Sequence, residues 1–314
     1  LAFANFYDLW LFIAGKKLFS MIKYSINDLE RLTGIKAHTL RIWEKRYDIV
    51  EPERTCTNIR FYTDCHLKHL LNVSILNKHG YKISEIARLN EKEITDRVMN
   101  LSMNPSDYET QMESLVVAMI ELDEIKFEKI LGSAILNLGF EETLVEIIFP
   151  FFHKIGFLWQ TGSIVPAQEH FISNLIRQKL IVAIDGIPLT SAPQQKTFIL
   201  YLHERELHEI GLLTFYYLLK KRKHKVIYLG QSVPFDDLVT ISAIHQPYGL
   251  LTSFTSGISR EDLEGYLTKL DDHFPGIRHF VSGLQLSHPE ILPASFFHIR
   301  NIADFRQELD QLSA

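Results

Sequence analysis

Phe198-Ile199-Leu200-Tyr201-Leu202, followed shortly by Glu206-Leu207-His208-Glu209-Ile210-Gly211, is the stretch that decides the fold. The first run is apolar and reads as a buried strand. Helical periodicity begins at Ile210 and continues to Leu219. The pattern E-x-H-x-x-G therefore sits at a strand-to-helix turn. Open α/β sheets bind their ligands at such turns, beyond the carboxyl ends of parallel strands. A carboxylate two residues before a histidine can hold the imidazole and raise its basicity as a metal ligand. A glycine three residues later lets the backbone approach a bulky ligand closely. Alone, the pattern also fits a surface histidine at a helix start.

The rest of this region supplies two more loops of the same kind. Alternation of strands (197–202, 225–229, 248–254, 279–283, 296–300) and helices (208–221, 235–244, 259–273, 302–312) predicts a five-stranded parallel, flavodoxin-like sheet. Ser253-Phe254-Thr255 ends the third strand and Ser282-Gly283 the fourth. Gln231 and Ser232, after the second strand, lie at the same edge. This segment resembles the cobalamin-binding domain of methionine synthase and the corrinoid mutases, which carry D-x-H-x-x-G, S-x-L and G-G at these intervals. Glu206 stands for the usual Asp, and Ser282-Gly283 for Gly-Gly. The resemblance implies that Glu206, His208 and Gly211 contact the cofactor, with His208 the lower axial ligand of cobalt. It further implies that Ser253 and Thr255 line the slot for the nucleotide tail and that Ser282 and Gly283 pack against it.

At the other end, Ser25 is a plausible N-cap of a first helix that stops at Gly34. A second helix begins near Ala37 and mixes Thr39, Arg41, Lys45 and Arg46 with Leu40, Ile42 and Trp43. Two short helices about a glycine turn make a helix-turn-helix, whose second helix enters the major groove. Pro52 to Tyr62, with Asn58 suited to a left-handed turn, reads as a wing. The words R-x-W-E-x-R-Y (Arg41 to Tyr47), P-x-R-T (Pro52 to Thr55) and R-x-Y (Arg60 to Tyr62) resemble the MerR family of winged helix-turn-helix regulators. That resemblance implies phosphate contacts from Arg41, Arg46, Tyr47, Arg54, Arg60 and Tyr62. His38 and Thr39, early in the second helix, are the candidates for reading bases. Trp43 and Phe61 read as core, Lys68 and Lys78 as solvated. A palindromic double-stranded operator and a homo-oligomer, dimer or tetramer, are the partners expected.

Between these ends, residues 105–187 show helical periodicity, with helices near 106–121, 123–138, 140–160 and 166–185. Short connections suggest an antiparallel bundle. Trp159 ends the third helix and Glu169-His170 opens the fourth, giving W-x9-E-H. The pattern resembles the cap of light-responsive, adenosylcobalamin-dependent MerR-type repressors, the CarH and LitR class. There a bundle covers the upper face of the corrin. Trp159, Glu169 and His170 would thus surround the adenosyl group. Where well-known members place a second cobalt-binding histidine after this tryptophan, the chain has Gln160, an amide and a poor ligand for low-spin cobalt.

The whole chain fits this organisation. Its 314 residues allow two or three domains, and 46% apolar content is that of a globular protein. The formal net charge is −5. Residues 21–90 nevertheless carry 12 Lys+Arg against 8 Asp+Glu, a basic module on an acidic body. Cys56 and Cys65 form no C-x-x-C pair, which argues against a disulfide framework or thiolate zinc site. No stretch fits a membrane span, and a reducing cytoplasm is expected. Residues 1–20 read as an upstream extension or mis-assigned start. The domains expected are 21–92 (DNA-binding), 104–188 (helical cap) and 195–314 (cobalamin-binding). The expected function is a non-enzymatic DNA-binding repressor controlled by cobalamin and light. Adenosylcobalamin is the first choice of cofactor, with methylcobalamin the alternative. The rivals are a MerR regulator that senses cobalamin without photoswitching, one independent of cobalamin, and a corrinoid methyl-carrier enzyme.

Overall fold

The computed structural model describes residues 23–104, 106–160, 164–188, 195–286 and 292–313, without the side chains of 157, 159, 160 and 313. The reading of residues 1–20, and the side chains of Trp159 and Gln160, lie outside this description. The chain divides into two compact units, Leu1–Ile172 and Ser173–Ala314.

In the first unit, α1 (Ile26–Thr33) starts at Ser25, whose hydroxyl accepts from the Asp28 amide while Asp28 accepts from the Ser25 amide. This reciprocal cap satisfies two backbone donors that a helix start leaves open. After the turn at Gly34 comes α2 (Ala37–Tyr47), which buries Leu40 and Trp43. A two-stranded wing follows, β1 (Glu53–Arg54) antiparallel to β2 (Arg60–Phe61). Asn58 holds φ +66° at its tip, the left-handed conformation its residue type favours. Helix α3 (Asp64–Lys78) supplies the buried spine of the module through Leu67, Leu70, Leu71, Val73, Ile75 and Leu76. A single turn, α4 (Ile83–Ile86), leads to α5 (Glu91–Ser102). Helix α5 was not foreseen, although Asn90 and Glu93 form a reciprocal cap at its start.

The helical segment continues with α6 (Tyr108–Glu121), α7 (Glu124–Leu138), α8 (Phe140–Thr143) and α9 (Phe149–Gln160). The expected single helix over 140–160 contains a π turn, Leu144–Ile148, where Phe149 N–H bonds to Leu144 O. Pro150 explains it: proline has no N–H to give to residue 146, and its ring crowds that carbonyl. Helix α10 (Pro166–Asp185) follows.

Lys68 and Lys78 are not merely solvated. Lys68 reaches Glu121 at 2.7 Å, and Lys78 reaches Glu109 and Glu113 at 2.8 and 2.7 Å, joining α3 to α6. His79 bonds Asp107 at 2.7 Å. Burial pushes the His79 pKa down, but the Ile75 carbonyl and Asp107 outweigh it and hold the value above the usual one. A group with a raised folded pKa stabilises fully below its unfolded pKa and loses that contribution as pH rises through the folded value. Hydrogen exchange of α6 amides should therefore become less protected as pH, corrected for intrinsic exchange, rises above the ordinary histidine value of about 6.5. The trend should vanish in His79→Gln; its persistence there would assign it elsewhere.

The second unit is a five-stranded sheet of β3 (Thr197–His203), β4 (Lys225–Val233), β5 (Gly249–Ser253), β6 (Arg278–Ser282) and β7 (Phe296–His298). All pairings are parallel, in the spatial order β4-β3-β5-β6-β7. This is the expected flavodoxin-like winding, and order reverses beside β3. Helices α11 (Ile210–Lys221), α12 (Phe235–His245), α13 (Arg260–His273) and α14 (Ile302–Ser313) connect and flank the strands. Strands β3 and β5 bury nearly every residue, as central parallel strands must. Among the described residues, no helix is long and apolar enough to cross a membrane.

Candidate functional site

The turn after β3 is organised by one carboxylate. Glu206 is fully buried. Its Oε1 accepts from the Leu207 amide (2.9 Å), the His208 amide (3.0 Å) and the Ser256 hydroxyl (2.8 Å), and lies 2.7 Å from His208 Nδ1. Its Oε2 accepts from the amides of Thr255 (2.9 Å) and Ser256 (2.7 Å). Burial alone would raise the Glu206 pKa. The bonds from the His208 ring, the Ser256 amide and hydroxyl and the His208 amide prevail and hold it far below the carboxylate range.

This arrangement sets what His208 can do. With Nδ1 against a carboxylate, the proton of a neutral imidazole stays on Nδ1 and the lone pair is on Nε2. The side chain is 63% exposed while its anchor is at 0%. An imidazole held through Nδ1 at the carboxyl edge of a parallel sheet is a competent metal ligand. His208 lies in the loop rather than in the helix, since α11 starts at Ile210.

The sheet edge beside it is tight. Ser253 and Ser282 are paired across β5 and β6, both buried, and the Ser282 carbonyl accepts from the Phe254 amide at 2.8 Å. Ser253 Oγ lies 3.4 Å from Thr255 Oγ1. Gln231 Nε2 donates to the Leu207 carbonyl at 2.7 Å, and the Ser232 hydroxyl accepts from the Arg205 amide at 3.1 Å. Both side chains thus brace the His208 loop. Ser256 was not anticipated; it sits just past Ser253-Phe254-Thr255, on a turn without periodicity, and only the fold brings it to Glu206.

At Gly211, no atom within 4 Å opposes an added Cβ. The protein itself leaves this space open, as the cradle of a large ligand would require. Gly211→Ala should fold at least as well as the wild type, since glycine in a helix costs about 1 kcal/mol relative to alanine. Cobalamin uptake should still fall. A variant that binds as tightly as wild type would remove Gly211 from the site.

Glu169 and His170 lie in the first unit, where His170 Nδ1 is 2.8 Å from Glu169 Oε2. Among the described residues there is no cluster of three or more His, Cys, Asp or Glu that could hold a metal by itself. The donor that the site offers is the single imidazole of His208, which would suit a metal carried within its own macrocycle.

The DNA-facing candidates are on α2 and the wing. His38, Arg41, Arg46, Arg54 and Arg60 are exposed, and Thr39 and Tyr47 are half-buried. Arg46 lies over the Tyr47 ring at 5.4 Å. Arg54 Nη1 donates to Asn58 Oδ1 at 2.8 Å, so the wing turn presets its guanidinium. Tyr62 is placed differently from expectation. It is buried, and its hydroxyl bonds Glu44. A phosphate contact from Tyr62 would require breaking that bond. Trp43 is buried, and Phe61 is half-buried with Lys23 over its ring.

Comparison with known proteins agrees with both readings. Residues 24–93 match the MerR HTH family regulatory protein and residues 111–183 match the B12 binding domain. The chain is thus a transcriptional regulator of MerR helix-turn-helix type that carries a B12-binding domain. It is homologous to the HTH-type transcriptional repressor CarH of Myxococcus xanthus, 29% identical over 88% of this chain and 94% of that protein. The repressor CarA of the same organism is 26% identical over 77% of this chain and 80% of its own length. Among solved structures, the Methanosarcina barkeri monomethylamine corrinoid protein aligns with 71% of this chain and all of its own, at 16% identity and a TM-score of 0.41.

Proposed function

We propose that the chain is a DNA-binding repressor whose operator affinity is set by bound adenosylcobalamin and by light, with His208 Nε2 as the lower axial ligand of cobalt. The observation that carries this is the His208 ring held through Nδ1 by the buried Glu206. Adenosylcobalamin supplies, when bound, a cobalt–carbon bond that green or near-ultraviolet light can break. On the protein side, Glu206 fixes the imidazole and excludes its rotation. Thr255, Ser256 and Gln231 hold the loop that carries it. The proposal extends, on sequence similarity, to Ser253, Ser282 and Gly283 beside the nucleotide tail and to Trp159, Glu169 and His170 around the upper ligand. Gln160 provides no imidazole at the place where well-known members of the class carry a second cobalt-binding histidine. Exposed Arg41, Arg46, Arg54 and Arg60 would hold phosphates, with His38 and Thr39 reading bases. Oligomerisation would couple two such heads on a palindromic operator and raise their effective concentration.

The experiment is dark purification with adenosylcobalamin, with absorbance spectra and elution volume recorded before and after green light. Uptake that His208→Ala abolishes, plus a light-dependent change of size, supports the proposal. Uptake without a change of size leaves a cobalamin sensor without a photoswitch. No uptake removes the cobalamin reading altogether. For the DNA module, Arg60→Ala should weaken binding to operator and random DNA alike and lower the salt slope of log K by about 1. A loss confined to one sequence would make Arg60 a base reader.

A further inference from the structure

His208 is exposed, yet a second buried carboxylate stands beside it, and the role assigned to Glu206 does not use it. Glu209 is 7% exposed, at the start of α11. Its Oε1 accepts from Arg177 Nε at 2.5 Å, and its Oε2 accepts from the Tyr228 hydroxyl at 2.8 Å. Arg177 belongs to α10, the helix that begins with Pro166 and carries Glu169 and His170 two turns earlier. Tyr228 belongs to β4 and stacks on Tyr216 of α11, ring centroids 5.3 Å apart. Burial, and then the bond to Glu209, push the Tyr228 pKa upward, so the phenol remains a donor at all ordinary pH. The loop is thus tied on both sides of the histidine. Glu206, two residues before, is anchored to the turn after β5; Glu209, one residue after, is anchored to β4 and to α10.

We propose that Glu209, with Arg177 and Tyr228, is a positioning group that fixes the backbone on the far side of His208 and links its orientation to α10. This deepens the cobalamin reading and rests on it. A helix N-cap needs only a short polar side chain. Glu209 makes no cap bond of that kind and is spent on Arg177 and Tyr228 instead. A change in the pose of α10 therefore acts on residue 209, one peptide from the axial imidazole.

The test uses the full chain with histidine 15N-labelled in the ring and unlabelled cob(II)alamin, read by electron paramagnetic resonance. A protein imidazole on cobalt gives a doublet splitting, the cofactor's own base a triplet. Wild type should show the doublet. Glu209→Gln should bind about tenfold more weakly, and at saturation a smaller share of its cobalt should carry the doublet. Tyr228→Phe, which keeps the ring stack, should shift the share in the same direction by less. Arg177→Met should match Glu209→Gln, and the double variant should be no worse than either, as for residues acting as a unit. Arg222→Met, which breaks an unrelated pair with Asp310 at 3.0 Å, should behave as wild type. If Glu209→Gln weakens binding but leaves the doublet share unchanged at saturation, the group is only structural and the inference fails while the cobalamin reading stands. If wild type takes up cobalamin but shows no doublet, His208 is not the ligand and both fail. Absence of uptake by wild type likewise removes both.

Discussion

Gly283→Ala is expected to unfold the sheet unit. A Cβ built on Gly283 lies 2.2 Å from Phe254 O, 2.5 Å from its carbonyl carbon and 2.7 Å from its nitrogen, and φ is +114°. The obstacle is backbone, and that backbone cannot retreat. Phe254 N–H bonds Ser282 O, its carbonyl accepts from the Gln285 amide at 3.1 Å, and its ring is buried against Leu263, Leu267, Val281 and Leu286. Relief would have to separate the loops after β5 and β6 or pull a core aromatic. The expected loss exceeds about 4 kcal/mol, a large part of the roughly 5–15 kcal/mol that holds a domain together. Trp10, Trp43 and Trp159 all precede Ile172, so tryptophan fluorescence does not report directly on this unit. Hydrogen exchange of β5 and β6 is the suitable readout. Wild-type protection there in Gly283→Ala would show that the loops can part cheaply.

Glu206→Ala is expected to damage both stability and ligand binding. The substitution strands the amides of Leu207, His208, Thr255 and Ser256, the Ser256 hydroxyl and the His208 ring at once. An unsatisfied buried donor costs about 1–3 kcal/mol. Some of these groups gain water when the turn loosens, so a net loss of about 2–4 kcal/mol is expected. Because the folded pKa is depressed, the carboxylate stabilises above its ordinary value of 4.5 and loses that contribution as pH falls through the folded value. Acid unfolding of the sheet unit below about pH 4.5 should thus flatten in Glu206→Gln. Cobalamin affinity should drop about 10–100-fold. An acid profile identical to wild type would mean that the carboxylate is not the anchor.

Much of this was legible in the sequence, and the exceptions share a cause. Strand–helix alternation gave all five strands, because a buried parallel strand must be apolar throughout. The wing followed from Asn58 between short polar words. The His208 loop was visible because a carboxylate and an imidazole two residues apart can meet locally. Ser256 was not, because its bond to Glu206 spans fifty residues and depends on β3 and β5 being neighbours. The Lys68 and Lys78 pairs, and the burial of Tyr62 on Glu44, likewise depend on packing between elements. Helix α5 is the contrary case: its capping signal was present in Asn90 to Glu93.

The π turn at Leu144–Ile148 also sets a phase. It behaves as one extra residue in an otherwise regular helix, so everything from Phe149 onward is rotated by about 100° from where a continuous helix would put it. Residue spacing across this point does not count faces in the usual way. Deleting a single residue here, together with Pro150→Ala, would restore a straight helix of ordinary stability and leave the segment leading to Trp159 on the side it now takes, because the turn already absorbs that residue. A protein of this lineage could therefore gain or lose one amino acid here without changing which residues it presents beyond residue 149.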